Sequence, residues 1–238
     1  MTMSKNDRSL ERPSSASDVD AFLNRLSRMP VPAGQGRGRL MFAMDATASR
    51  EPTWREAAHI QEQMFREASA LGGLDVQLVY YRGLDECRAS RWLSEPAALS
   101  AAMGRVDCAA GRTQIGRILR HAIAQTAKMR LNALVFVGDC MEESLDDLLS
   151  GAGELGLLGV PAFLFHEGGD GGAADAFAAI ARLTKGACCR FDAASPSQLR
   201  ALLGAVAVYA AGGRKALADY AERQGGEVLL LTRQLSGH

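Results

Sequence analysis

Residues 40–49 read Leu40-Met41-Phe42-Ala43-Met44-Asp45-Ala46-Thr47-Ala48-Ser49. The first five are apolar, with no polar residue among them. A strand buried on one face alternates. A short unbroken apolar run bounded by polar residues fits a strand buried on both faces. This run stops at a carboxylate, and hydroxyl side chains follow at the second and fourth positions after it. In an open α/β sheet, ligands gather beyond the C-terminal ends of such strands. The reading of the chain therefore turns on whether other strands of this kind end in the same way.

Upstream, Pro30, Pro32, Gly34, Gly36 and Gly38 make a linker. Before it, Val19, Phe22, Leu23, Leu26 and Met29 recur at helical spacing, with Ser17 or Asp18 placed to cap the helix. Residues 1–17 are polar and Ser-rich, which predicts a loose tail. Downstream, the pattern predicts a helix over 52–71, a strand over 76–81 and a short strand over 87–93 paired with it as a hairpin. A short helix over 96–103 follows. Then helices over 113–128, 143–155, 173–183 and 197–211 alternate with strands over 133–137, 160–165 and 187–191. Gly212 and Gly213 are placed to stop the last long helix, ahead of a short helix over 215–223 and an apolar stretch at 228–231. This alternation predicts an α/β fold: a Rossmann-like, doubly wound, mostly parallel six-stranded sheet with one antiparallel edge strand and helices on both faces. The expected organisation is an extension over 1–36, one domain over 37–211 and a C-terminal extension over 212–238.

Composition narrows the function classes. The chain has 238 residues, 47% hydrophobic and 23% charged, which suits one folded domain rather than a disordered chain. Lys plus Arg and Asp plus Glu both number 27, so no overall field draws it to nucleic acid or to an anionic membrane. The first residues contain no apolar core of a secretory signal, and no run approaches the roughly 20 apolar residues of a membrane span. The 5 cysteines are odd in number and irregularly spaced, with neither a disulfide framework nor a zinc pattern. The expectation is a cytoplasmic protein without membrane insertion.

Three polar segments fall at predicted strand ends or helix starts. They are Asp45-Ala46-Thr47-Ala48-Ser49, Gly111-Arg112-Thr113-Gln114-Ile115-Gly116 and Gly138-Asp139-Cys140-Met141-Glu142-Glu143. Together they offer two carboxylates, Asp45 and Asp139, and three hydroxyls, Thr47, Ser49 and Thr113. All are hard oxygen donors of the kind Mg²⁺ prefers. Taken singly each segment is weak evidence, because Ser and Thr at such places commonly cap the next helix. Glu142 and Glu143 fit the same ordinary role of complementing a helix N-terminus.

In order and type these residues resemble the von Willebrand factor A (vWA) family. Its metal site (MIDAS) is written D-x-S-x-S after the first strand, a Thr in a later Gly-containing loop, and an Asp after the fourth strand. Here Thr47 takes the middle position, as in copine-like D-x-T-x-S domains. Gly138-Asp139-Cys140 stands where Thr-Asp-Gly is commoner, so Cys occupies a place usually held by a residue free to take positive φ. The resemblance spans roughly residues 37–211. It implies a vWA fold and a Mg²⁺ (or Mn²⁺) held by Asp45, Thr47, Ser49, Thr113 and Asp139. An open coordination position would then accept an Asp or Glu carboxylate from a protein partner.

The resulting expectation is an intracellular adaptor, a binding module rather than an enzyme, with no nucleic-acid partner. Two alternatives stay open. One is a Mg²⁺-dependent hydrolase or phosphatase, although the sequence holds no P-loop, no DxDx[TV] and no GxSxG. The other is a metal-free vWA scaffold. Among further residues, Arg50 and Arg112 flank the hydroxyls and read equally as contacts for a partner's acids or as exposed basic residues with no assigned role. His166 is expected in a solvated loop. Arg88, Arg91 and Trp92 fit a charged edge strand better than a nucleic-acid patch.

Overall fold

The computed structural model describes residues 37–69, 71–191 and 196–235, with side chains as far as Tyr220. The tail, helix and linker expected over 1–36 lie outside the described residues. So do the side chains of the apolar stretch at 228–231.

Six strands form one sheet: β1 (Gly38–Asp45), β2 (Leu74–Arg82), β3 (Glu86–Ala89), β4 (Ala133–Gly138), β5 (Ala162–Glu167) and β6 (Ala187–Phe191). Their order is β3-β2-β1-β4-β5-β6, and only β3 runs antiparallel to its neighbour. This is the mostly parallel six-stranded sheet with one antiparallel edge that the alternation predicts. The edge strand is shorter than expected: it ends at Ala89, and Leu93 returns only as an isolated bridge to Val76.

The helices are α1 (Glu51–Ser69), entered through a 3-10 turn at Ala48–Arg50, then α2 (Pro96–Met103), α3 (Ile115–Lys128), α4 (Leu145–Leu157), α5 (Gly171–Leu183) and α6 (Pro196–Leu235). Successive residues of β1 explain why both faces need covering. Leu40, Phe42 and Met44 pack with α1, α2 and α6, whereas Met41 and Ala43 pack with α3, α4 and α5. All five are fully buried. A strand inside such a sandwich has no solvent side, so its sequence does not alternate.

Helices α3 and α4 begin two residues later than expected, α4 at Leu145. α3 begins at Ile115, not at 113, which leaves Thr113 in the preceding loop. The glycine pair interrupts α6 as expected, with non-helical backbone at Gly213 (φ 70°, ψ −164°) and helix on both sides, although the second segment runs on to Leu235. Beyond that point Ala216, Leu217 and Tyr220 belong to the same core as α1 and β1.

The strand order places the site. Connections after β1 go to one side of the sheet and those after β4 to the other, so a crevice opens between their C-terminal ends. β1 and β4 are in parallel register with Met44 opposite Val137. Asp45 therefore stands level with Gly138, and Asp139 follows one residue beyond.

Candidate metal centre

Asp45 ends a strand that is buried but for Arg39, and is itself only 1% exposed. Its two carboxylate oxygens are held separately. Oδ1 accepts from the Thr47 backbone N–H at 2.6 Å, and Oδ2 accepts from the Tyr81 hydroxyl at 3.0 Å. Burial raises the Asp45 pKa above the ordinary carboxylate range, and the nearby Asp139 charge adds to this. The hydrogen bonds from Thr47 and Tyr81 pull the other way. Tyr81 is in turn pushed well above its usual value, first by burial and then by the Asp45 charge. A buried acid with a second acid close by is an environment that favours a cation.

The hydroxyls do not cap helices. Thr47 precedes the 3-10 turn and makes no side-chain capping bond. Its Oγ1 lies 3.4 Å from the Ser49 Oγ, and Ser49 donates to Asp139 Oδ2 at 3.0 Å. Thr113 leaves the first turn of α3 alone as well. Its Oγ1 accepts from the Glu142 backbone N–H at 3.0 Å, while its own N–H donates to the Glu142 carboxylate at 3.1 Å. The reciprocal pair ties Thr113 to the loop that carries Asp139. Asp45, Thr47, Ser49 and Asp139 thus form one linked group. Thr113 joins it through Glu142, without a direct bond to the other four.

Backbone contacts knit the three loops at this edge. Ala46 N–H donates to the Tyr81 carbonyl at 2.9 Å, and Ala109 N–H to the Ala46 carbonyl at 3.0 Å. Arg112 N–H donates to the Gly83 carbonyl at 3.0 Å. Gly111 permits that approach, because a Cβ there would stand 2.2 Å from the Gly83 oxygen. The loop after β4 needs no special backbone at its unusual Cys140: among the described residues Lys185 alone has positive φ without being glycine.

The two glutamates divide their work. Glu142 pairs with Thr113. Glu143 reaches back to the start of α3, accepting from the Ile115 and Gly116 N–H groups, the latter at 2.9 Å. It complements a helix N-terminus, but that of the helix before its own. Its own helix α4 is capped by Ser144.

Two expectations are overturned. Arg50 does not face a partner: its side chain is 2% exposed and paired to Glu167, with Nη1 3.8 Å from Asp139 Oδ2. Its position at the turn into α1 points it under the site instead of outward. His166 is not in a solvated loop. It lies on β5, 2% exposed, edge-on to Phe177, with Nε2 3.3 Å from the Asp139 carbonyl. Burial lowers its pKa, and because a carbonyl oxygen can only accept, Nε2–H donates to it. Arg112 is exposed as expected. Arg88 is exposed on the edge strand, and Trp92 is covered by the Arg39 guanidinium at 3.8 Å.

Among the described residues no three His, Cys, Asp or Glu side chains converge as a metal-binding group. Asp45 and Asp139 face this crevice, Glu167 lies beneath it on Arg50, and the other oxygens are hydroxyls. That donor set suits a hard dication such as Mg²⁺ that keeps part of its water. Asp45 lies at the closed bottom of the crevice. Ser49 is exposed and Asp139 is 26% exposed, so the far side opens to solvent.

No protein-family model and no curated protein matches this sequence. Solved structures do. The SpRpn10 VWA domain superposes with a TM-score of 0.54 at 15% identity, over 70% of this chain and 94% of that one. The vWF domain of the type V pili tip protein Mfa5 from Porphyromonas gingivalis gives 0.56 at 11% identity, over 74% and 95%. Proximal thread matrix protein 1 from the mussel byssus, with a zinc-occupied MIDAS motif, gives 0.54 at 14%, over 72% of this chain and 46% of that longer one. Strand order, helix placement and these superpositions agree that the chain has the fold of a von Willebrand factor A domain.

Proposed function

We propose that this chain is a metal-dependent protein-binding module. In this reading Asp45, Thr47, Ser49, Thr113 and Asp139 hold one Mg²⁺, or Mn²⁺ in its place, and a partner protein supplies an Asp or Glu carboxylate to an open position. A dication held mainly by neutral hydroxyls keeps enough charge to attract that carboxylate. The protein's own residues orient the site: Tyr81 and the Thr47 N–H fix the Asp45 carboxylate, and Glu142 fixes Thr113. One observation carries the proposal. Thr47, Ser49 and Thr113 forgo helix capping: Ser49 and Thr113 bond to the loop of Asp139, and Thr47 lies against Ser49. The zinc-occupied MIDAS motif of the mussel protein, and the pilus-tip setting of Mfa5, lend support from the same fold. We place the module inside the cell as an adaptor, on its cysteine pattern alone. Among the described residues no helix is long and apolar enough to cross a membrane.

Calorimetric titration with Mg²⁺ and Mn²⁺ tests the reading. The wild type is expected to bind one ion. Folded Asp45→Ala and Asp139→Ala variants are expected to bind none. Absence of binding in the wild type, or equal binding in all three, refutes it. Mg²⁺-dependent hydrolysis of p-nitrophenyl phosphate, lost in Asp45→Ala, would replace it with a hydrolase.

A further inference from the structure

Arg50 is among the largest fully buried side chains of the protein and follows directly on Ser49. A buried guanidinium needs a counter-charge, and Glu167 at the end of β5 supplies one through Nη2. Glu167 is itself anchored, accepting from the Thr53 hydroxyl at 2.5 Å. That pair would satisfy the charge. Yet the other arm of the fork, Nη1, lies 3.8 Å from Asp139 Oδ2, the oxygen that also accepts from Ser49. The remaining nitrogen, Nε, is buried without a hydrogen-bond partner. Arg50 is therefore suspended between two acids, clamped to one and within electrostatic reach of the other.

We infer that Arg50 is a built-in counter-cation that sets the dication affinity of this site. The inference rests on the proposed metal centre and concerns its regulation. Three carboxylates, Asp45, Asp139 and Glu167, surround the crevice and its floor, and Arg50 offsets one of them. Its charge lowers the attraction of Asp139 for any second cation and makes the ion-free arrangement tolerable. Glu167 holds the guanidinium beneath the site, short of the crevice itself. A side chain with only a structural role would, on removal, loosen the site and weaken ion binding. A counter-cation does the reverse.

The test compares Mn²⁺ affinity, by electron paramagnetic resonance, with melting temperature in EDTA and in Mg²⁺, on the full chain. Arg50→Met is expected to melt lower in EDTA, to bind Mn²⁺ about tenfold tighter or more, and to gain a larger melting shift from Mg²⁺ than the wild type. Unchanged or weaker binding in folded Arg50→Met overturns the inference. Glu167→Gln frees the guanidinium to lean on Asp139, and Mn²⁺ affinity is expected to fall about tenfold. Because losing any nearby acid weakens cation binding, the double variant decides. In the Arg50→Met background the Glu167→Gln effect should shrink markedly, and an undiminished effect overturns the inference. Should Arg50→Met fail to fold, Arg50→Gln carries the same expectations. Binding in Arg50→Met but not in the wild type supports the counter-cation even where the wild-type site stays closed to metal. Binding in neither defeats both this inference and the metal centre.

Discussion

Asp45 is the residue on which stability and binding pull in opposite directions. Its pKa is raised by burial and by Asp139, so the folded chain holds a proton there at pH values where the unfolded chain has released it. Stability from this group therefore falls as pH rises from the ordinary carboxylate range through the raised value, and at neutral pH the ionised acid costs stability. Asparagine keeps the shape, since its oxygen can accept from Thr47 N–H and its amide can donate to the Tyr81 oxygen. Asp45→Asn is thus expected to be more stable than the wild type in EDTA at pH 7, with the gap closing on acidification, by urea denaturation across pH 4–8. The same variant should lose the stabilisation by Mg²⁺ that mass action gives the wild type. A less stable Asp45→Asn would show that the carboxylate is well solvated in the fold.

The Tyr81 hydroxyl poses a complementary question, because it orients Asp45 without touching solvent. Removing an outer hydrogen-bond partner of a ligand typically weakens metal binding, and Tyr81→Phe is expected to cost about tenfold in Mn²⁺ affinity. Its melting temperature in EDTA should fall as well, because the buried Asp45 Oδ2 loses its partner. Equal affinity would mean that packing alone positions the carboxylate. Residues such as Asp45, Thr47, Ser49, Thr113 and Asp139 were legible in the sequence because strand ends and short motifs announce them. Tyr81, Arg50, Glu167 and His166 were not. Their roles depend on which side chains meet across β2, β5 and the turn into α1, and no local spacing records that.

At the scale of elements, the three loops of the site are held by bonds between segments far apart in the chain. Glu143 is the clearest case. It lies at the start of α4's approach yet satisfies orphan N–H groups of α3, where the helix dipole also favours a negative charge. Glu143→Gln keeps an acceptor and loses the charge, so it should destabilise the protein by about 1 kcal/mol in urea denaturation. Because α3 begins just after Thr113, the variant should also bind Mn²⁺ more weakly. Unchanged stability would show that water serves α3 equally well. Sequence periodicity located every described helix but misjudged this boundary: Thr113 reads as a cap until Glu142 and Glu143 are known to fold back over it. The edge strand was overrun for a similar reason, since the apolar pair Trp92-Leu93 reads as strand although Leu93 keeps only an isolated bridge to Val76.

At the scale of the whole molecule, the site and the turn at Gly213 occupy opposite ends of β1, with the first half of α6 running between them. Eight residues separate the two ends inclusively, a distance of about 23 Å along a strand. Asp45 sits at one end. At the other, α6 presses so closely that a Cβ on Gly38 would meet the Ala210 carbonyl oxygen at 2.4 Å. The chain then turns at Gly213. On a straight helix Gly204 and Tyr220 would stand roughly 24 Å apart, yet a Cβ on Gly204 would lie 3.0 Å from the Tyr220 hydroxyl. The two halves of α6 therefore form a hairpin, which returns Leu217 and Tyr220, 0% and 6% exposed, to the core. A pair of glycines in sequence announces a stop, but not that the helix resumes in reverse.

The backbone angles at Gly213 fall in a region open essentially to glycine, so Gly213→Ala is expected to cost about 1–3 kcal/mol. Ending the chain at residue 212 removes the packing of Leu217 and Tyr220 altogether and should cost more, about 3–5 kcal/mol. Both are read from urea midpoints. With the Gly213 turn at the far end of β1, Mn²⁺ affinity of the folded Gly213→Ala variant should match the wild type. Were affinity to fall along with stability, the two ends of β1 would be coupled, and the hairpin would belong to the binding machinery as well as to the core.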